Sequence, residues 1–295
     1  MASLMSNFNV AKSLLLLFDS EVPLSLLKVT GLLVAWVSLW LPLAITSTII
    51  LQRNNVLSAS WQPFKPITTE QKLPLLASLY LIAPLVLWGA NLLIGNSFAD
   101  YGWLWDWSTL QTLGIGFGIG VVGLAILFGW QTLLGWINWQ QIGVRQLLSV
   151  SLPILPLAIW ISAIEELIFR GFVLTQLQQE YAIGISAAIC SLIFAVLHLV
   201  WEQKETKPQL LGLWLMGMVL VLARYINNGS LGLAWGLHSG WVWAIATVDT
   251  AQLVTYTGNA PDWITGKYGK PLAGVAGIVF LAATGAVLWL VGMRG

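Results

Sequence analysis

Long apolar segments are the feature that most limits what this chain can fold into. The 295-residue sequence holds eight of them, and each is close to the roughly 20 residues that a helix needs to cross a bilayer. Their approximate bounds are 29–51, 74–94, 109–134, 154–177, 183–201, 208–225, 229–248 and 271–292. Because only helices and closed barrels satisfy all their backbone hydrogen bonds in lipid, the pattern predicts an all-α membrane bundle with about eight transmembrane helices.

The composition agrees with a membrane protein and excludes two other classes. Charged residues make up 8% of the chain, against roughly 25% in soluble domains, so a soluble protein of this length would lack a polar surface. The net charge of +1 leaves no basic patch for a phosphate backbone, which excludes nucleic acid as a partner. We therefore expect an integral, multi-pass membrane protein in a lipid bilayer.

A single membrane domain accounts for nearly the whole sequence. Residues 29–292 are predicted to form the transmembrane bundle, and no repeat of fixed period divides it. Residues 1–28 are predicted to form an N-terminal interfacial segment. Their apolar core, Leu14 to Phe18, is too short for a secretory signal and is followed by Asp19 and Glu21.

Three charged residues lie inside an apolar segment. They are Glu165, Glu166 and Arg170. A charge at the bilayer centre costs roughly 2.5–3.5 kcal/mol on insertion scales, so such residues usually face the bundle interior and carry function. Glu166 and Arg170 are spaced i,i+4 with the acid first, which favours an ion pair on one helix face and leaves Glu165 a free lone pair. The alternative is an ion pair that only holds two helices together.

Two prolines indicate where the helix with these charges begins. Pro153 and Pro156 are typical of a first helical turn, so we expect a start near residue 154 and the acidic pair near the bilayer centre. A start nearer Leu147 would place the pair closer to one interface.

Both histidines of the chain also fall within apolar segments. His198 follows Phe194 by one helical turn, and His238 lies in the seventh segment. One isolated histidine in such a place is usually a hydrogen-bonded core residue. Two histidines and a Glu-Glu pair on separate segments of one bundle instead indicate water activation, which needs a general base and donors for a developing oxyanion.

Three short motifs resemble those of a known family, the CPBP (CAAX protease and bacteriocin-processing, or Abi) intramembrane proteases. The motifs are Glu165-Glu166-x-x-x-Arg170, Phe194-x-x-x-His198, and His238 within Gly-Leu-His-Ser-Gly-Trp. Order and spacing both fit over residues 150–245, which the resemblance marks as a protease-like core. The resemblance implies an endopeptidase that cleaves a peptide or protein substrate at the membrane; the family acts on prenylated CAAX ends and on peptide precursors.

The resemblance also implies roles for individual residues. Glu165 would be the base that activates water, His198 would assist it, and His238 would stabilise the oxyanion. Supporting roles would fall to the remaining motif residues, namely Glu166, Arg170 and Phe194.

The chain departs from the family at one position. Family members often carry Asn or Asp four residues after the last histidine, where this sequence has Val242. Valine cannot donate a hydrogen bond, so the resemblance implies either reduced activity or a donor from elsewhere.

No cofactor is expected. Family members are often described as metalloproteases, and Glu165, His198 and His238 are the residues that would hold a zinc ion here. The chain nevertheless lacks an HExxH motif, and the Asn or Asp that could complete the ligand set is absent. We expect hydrolysis without a tightly bound metal, with zinc as the alternative.

Two functions from other classes stay open. A non-catalytic membrane scaffold or immunity protein could keep the family fold with a degraded site, which Val242 favours. A proton-coupled transporter would also bury Glu, Arg and His near the midplane, but it would usually show interrupted helices or a paired repeat.

Overall fold

A computed structural model describes residues 23–56, 69–200 and 203–293 of the chain. Residues 1–22, most of the predicted interfacial segment, lie outside the described residues. The segment that follows is helical from Leu24 onward.

Within the described ranges, each predicted apolar segment corresponds to one long helix. The helices are α1 (Leu24–Arg53), α2 (Thr69–Ile94), α3 (Trp107–Leu133), α4 (Val144–Leu177), α5 (Ile183–Leu197), α6 (Leu210–Ile226), α7 (Gly232–Thr250) and α8 (Val275–Gly292). The predicted all-α membrane bundle is thus confirmed.

Helix α7 differs from the other seven, which are all long and apolar enough to cross a membrane. Its sequence mixes glycine, histidine, serine and threonine with its apolar residues, so its hydropathy stays below that of the seven candidate spans. Most of its N-terminal half is buried, mainly against α3 and α4. A helix that is covered by protein does not need an apolar surface toward lipid. With seven such spans the chain is an integral, multi-pass membrane protein.

Glycines allow α3 and α7 to pack with their backbones in contact. The glycines at this interface are Gly116 and Gly120 on α3, and Gly232, Gly236 and Gly240 on α7. A Cβ atom on Gly236 would lie 2.0 Å from the Leu113 carbonyl oxygen, and one on Gly116 would lie 2.4 Å from that of Leu233. Small residues spaced four apart are the usual device for close helix packing in membranes. Here they fix the position of α7 and therefore of His238.

Helix α4 begins about three turns earlier than expected. It starts at Val144, so the predicted start near residue 154 is wrong, and the alternative start near Leu147 is close to the observed one. Pro153 and Pro156 lie inside the helix. Membrane helices tolerate internal proline where neighbouring side chains satisfy backbone groups. Trp243 on α7 also contacts the backbone of this stretch, because its indole N–H donates to the Ser151 carbonyl at 2.9 Å.

A short antiparallel ribbon, which the sequence did not predict, joins two loops. Strand β1 (Ile137–Trp139) follows α3, and β2 (Val254–Tyr256) follows α7. Three residues are too few to show the two-residue alternation by which strands are recognised in a sequence. The ribbon links the ends of the two helices that already share the glycine interface.

Candidate active site

The acidic pair lies where α4 changes its winding. The helix is α-helical through Glu165, takes a π-helical turn over Glu166–Val173, and returns to α geometry at Leu174–Leu177. A π turn is wider than an α turn and occurs often at functional sites. Both acidic side chains are buried, and both approach His238 on α7.

His238 lies between the two carboxylates. Its Nδ1 is 2.7 Å from Oε1 of Glu166, and its Nε2 is 3.5 Å from Oε2 of Glu165. The predicted ion pair is present as well, with Nη1 of Arg170 at 3.0 Å from Oε1 of Glu166. The imidazole of His238 thus lies between Glu166, which is paired with Arg170, and Glu165, which is not.

Tyr80 contacts the other oxygen of Glu165. Its phenolic O–H donates to Oε1, from a position in the middle of α2 where the ring is 7% exposed. Sequence analysis missed this residue because a single tyrosine in an apolar segment looks like any core aromatic. No motif distinguishes it.

His198 directly follows the end of α5, and one of its ring nitrogens is engaged. Its Nδ1 lies 2.8 Å from the Phe194 carbonyl oxygen. Because a carbonyl only accepts hydrogen bonds, Nδ1 carries the proton, and Nε2 has a lone pair in the neutral ring. The fully buried Phe194 ring lies 4.3 Å from the Arg170 guanidinium, and its centroid is 4.5 Å from that of His198 and 6.0 Å from that of His238. Phe194 therefore packs against all three side chains at once.

Two cavities meet at Glu165 and His198. The first, of about 250 Å³, lies among α3, α4, α6, α7 and α8 and is also lined by His238 and Val242. The second, of about 420 Å³, is bordered by α1 and α2 and is also lined by Tyr80. Most other lining residues are apolar. The structure thus brings Glu165, His198 and His238 to one space, and the residue in place of the family's Asn or Asp faces that space.

Comparison with known protein families relates the segment that holds this site to a described family. Residues 146–244 match the family model described as Type II CAAX prenyl endopeptidase Rce1-like. The predicted resemblance is confirmed. This Rce1-like segment covers about a third of the chain and contains every site residue taken from the motifs, whereas Tyr80 lies outside it. Comparison with curated proteins and with solved structures gives no match. At the level of the family, the match supports a CAAX-type membrane protease with a peptide or protein substrate.

Arg224 is a second residue that sequence analysis missed, and it lies within the Rce1-like segment. Its guanidinium is largely buried at the end of α6 and donates to the Arg170 carbonyl, to Thr175 Oγ1 at 3.2 Å and to the Gly229 carbonyl at 3.0 Å. A cation near the end of an apolar segment is ordinary in sequence, so nothing marked it. In the structure it provides a partner for a carbonyl of the π turn.

The structure shows no preformed site for the metal alternative in the residues that it describes. In the described part of the chain, no three His, Cys, Asp or Glu side chains come together so as to hold an ion. Nδ1 of each histidine is hydrogen-bonded, which leaves Nε2 available, an orientation that metal-binding histidines also adopt. The chemistry below uses only the side chains of this protein, and metal-free hydrolysis stays a prediction.

Proposed function

We propose that the protein is an intramembrane endopeptidase in which Glu165 and His198 activate the water that attacks a peptide bond. The observation that carries this proposal is the shared position of the two residues, which both line the two cavities. An extended peptide that passes from one cavity to the other would bring a carbonyl group to this carboxylate. The largely apolar lining suits a peptide segment that reaches the site from the membrane.

In the proposed reaction, Glu165 removes a proton from water while the water oxygen bonds to the carbonyl carbon. The lone pair on Nε2 of His198 accepts a hydrogen bond from the same water and orients it. The tetrahedral intermediate then loses the amine, and the proton held by Glu165 passes to the leaving nitrogen. The products are a carboxylic acid and an amine, and Glu165 returns to its ionised form.

His238 stabilises the oxyanion in this proposal. Its Nδ1–H donates to Glu166, so a proton on Nε2 makes the ring an imidazolium. Two carboxylates, one guanidinium and one imidazolium then sum to zero charge, which is the favourable balance for a cluster inside a membrane. Nε2–H points to the side of Glu165 and can donate to the oxygen that gains charge.

A non-catalytic membrane scaffold is the second candidate, and Val242 favours it. This apolar side chain lines the same cavity as Glu165, His198 and His238, so the cavity lacks the polar group that the family often has there.

The deciding experiment compares membranes that contain the wild-type protein with membranes that contain Glu165→Gln. Proteomic mapping of protein termini should find new termini with the wild type that are missing with the variant. Loss of a general base lowers turnover by roughly 10²–10⁴-fold. The same change at the exposed Glu180, beyond the end of α4, is the control and should leave the cleavage pattern unchanged.

Identical sets of termini with the wild type and Glu165→Gln, at equal protein levels, would reject the protease and leave the scaffold.

A further inference from the structure

We propose that Tyr80 is a positioning residue for the catalytic carboxylate, supplied by a helix outside the Rce1-like segment. Its phenolic O–H holds Oε1 of Glu165, fixes the orientation of the carboxylate and leaves Oε2 for water. This inference rests on the proposed role of Glu165 as the base. It adds a residue from α2 to a site whose motif residues all lie between α4 and α7.

The geometry supports a specific role because the two oxygens of Glu165 have different neighbours. Oε1 accepts the hydrogen bond from Tyr80, and Oε2 is 3.5 Å from Nε2 of His238. The phenol from α2 thus holds one oxygen, while the imidazole from α7 lies beside the other at a distance beyond a normal hydrogen bond. Without the phenol, the carboxylate could rotate about its terminal bond and exchange its two oxygens.

The neighbours of Glu165 explain why such a donor matters. Arg170 bonds to Glu166, so it already has an acidic partner. In the described residues, the polar groups left to Glu165 are Tyr80 on α2, His198 just after α5 and His238 on α7. Of these three, Tyr80 is the one hydrogen-bonded to the carboxylate.

Tyr80→Phe tests this role because it removes the hydroxyl and keeps the ring that lines the cavity. Without the phenolic donor, the carboxylate spends less time in the orientation that activates water. We therefore expect kcat to fall by roughly ten- to a hundredfold, as for a small misplacement of a catalytic group, while KM for the peptide stays unchanged.

Tyr101→Phe is the matched control. Tyr101 is also buried, and its hydroxyl also donates to a side-chain oxygen, that of Asn91 at 2.8 Å, but it touches none of the motif residues' polar groups. Both variants lose one buried hydrogen bond and should show a similar loss of thermal stability in detergent. Only Tyr80→Phe should lower kcat. If neither variant lowers kcat, or if both lower it equally, the positioning role is wrong.

A second measurement keeps this inference separate from the proteolytic function. Infrared spectra contain the stretching bands of carboxyl groups, and the band that disappears in Glu165→Gln belongs to Glu165. Tyr80→Phe should shift the position of that band whether or not the protein cleaves peptides, because the hydrogen bond to one of the carboxyl oxygens is lost. Tyr101→Phe should leave the band in place. If Glu165→Gln keeps full activity, the proposed function fails and the band still decides the role of Tyr80. An unchanged band position in Tyr80→Phe would overturn that role.

Discussion

Glu165 and Glu166 are neighbours in the chain, yet they face two different environments. Glu166 belongs to a closed side of the site, where it is fully buried and bonded to Arg170 and to Nδ1 of His238. Glu165 belongs to an open side, where it lines both cavities and contacts Tyr80 and Nε2 of His238. His238 is the only side chain in the described residues that contacts both carboxylates through its two ring nitrogens.

The two environments give adjacent residues different roles. Glu166 stabilises the fold, and Glu165 takes part in the proposed chemistry. On the closed side, every charge has a partner, so a lost partner leaves an uncompensated charge in a place without water. On the open side, groups face space that a substrate can fill, so a change there acts on turnover first. Substitutions should therefore divide into those that lower stability and those that alter rate.

Arg170→Ala should have the largest effect, a loss of stability, because it removes the ion pair of the closed side. It leaves Glu166 buried beside His238 without its guanidinium partner, and removal of one member of a buried ion pair costs about 3–5 kcal/mol. Thermal unfolding in detergent measures the loss. Arg145→Ala, an exposed arginine at the start of the same helix, should change stability little. Equal destabilisation by Arg170→Ala and Glu165→Gln would mean that the two sides do not differ.

Gly116→Ala should be next, because it disturbs the packing that holds His238 between the two sides. The new methyl group would lie 2.4 Å from the Leu233 carbonyl oxygen, so α7 must shift. We expect a loss of about 1–3 kcal/mol and a fall in turnover of up to roughly a hundredfold, as for a misplacement near 1 Å.

The control for that change lies two residues along α3. A Cβ atom on Gly118 meets no atom within 4 Å, so Gly118→Ala should leave turnover and stability nearly unchanged. If the two alanine variants behave alike, backbone contact between α3 and α7 does not position the histidine.

Val242→Asn should have the smallest effect on stability and should raise turnover at the open side. Val242 lines the cavity of about 250 Å³ and lies one turn from His238 on α7, so an amide there could donate to the oxyanion. We expect turnover on a peptide substrate to rise by roughly ten- to a hundredfold, less than the full effect of an established oxyanion donor.

Ile245→Asn is the control for the added polarity. Ile245 lines the same cavity but lies farther along α7 from His238, so this variant should gain no activity. A loss of activity in Val242→Asn at unchanged stability would mean that the oxyanion donors are complete without this position.

The sequence predicted the parts of this molecule that depend on local composition. Apolar segments located all eight helices, and the cost of charge in lipid singled out Glu165, Glu166 and Arg170. The spacing of Glu166 and Arg170 also predicted their ion pair, because residues four apart meet on any helix face.

The features that the sequence did not predict depend on contacts between different helices of the bundle. Tyr80 has a role only because α2 lies against α4, and Arg224 only because the π turn offers it a carbonyl oxygen. The start of α4 was misplaced because Pro153 and Pro156 lie inside the helix, and proline is tolerated within membrane helices more often than its preference for a first turn suggests. The glycines of α7 carried a visible four-residue spacing, and this signal could have been used.

The low hydropathy of α7 has a consequence for how the protein is made. A segment with histidine, serine and several glycines gains little from lipid alone, so it enters the bilayer favourably only against a protein surface. Helix α3 is synthesised earlier and presents the glycine face that α7 fits. Biogenesis of this protein therefore depends on the order of its helices along the chain, and the histidine between the two carboxylates is among the last parts of the site to reach its place.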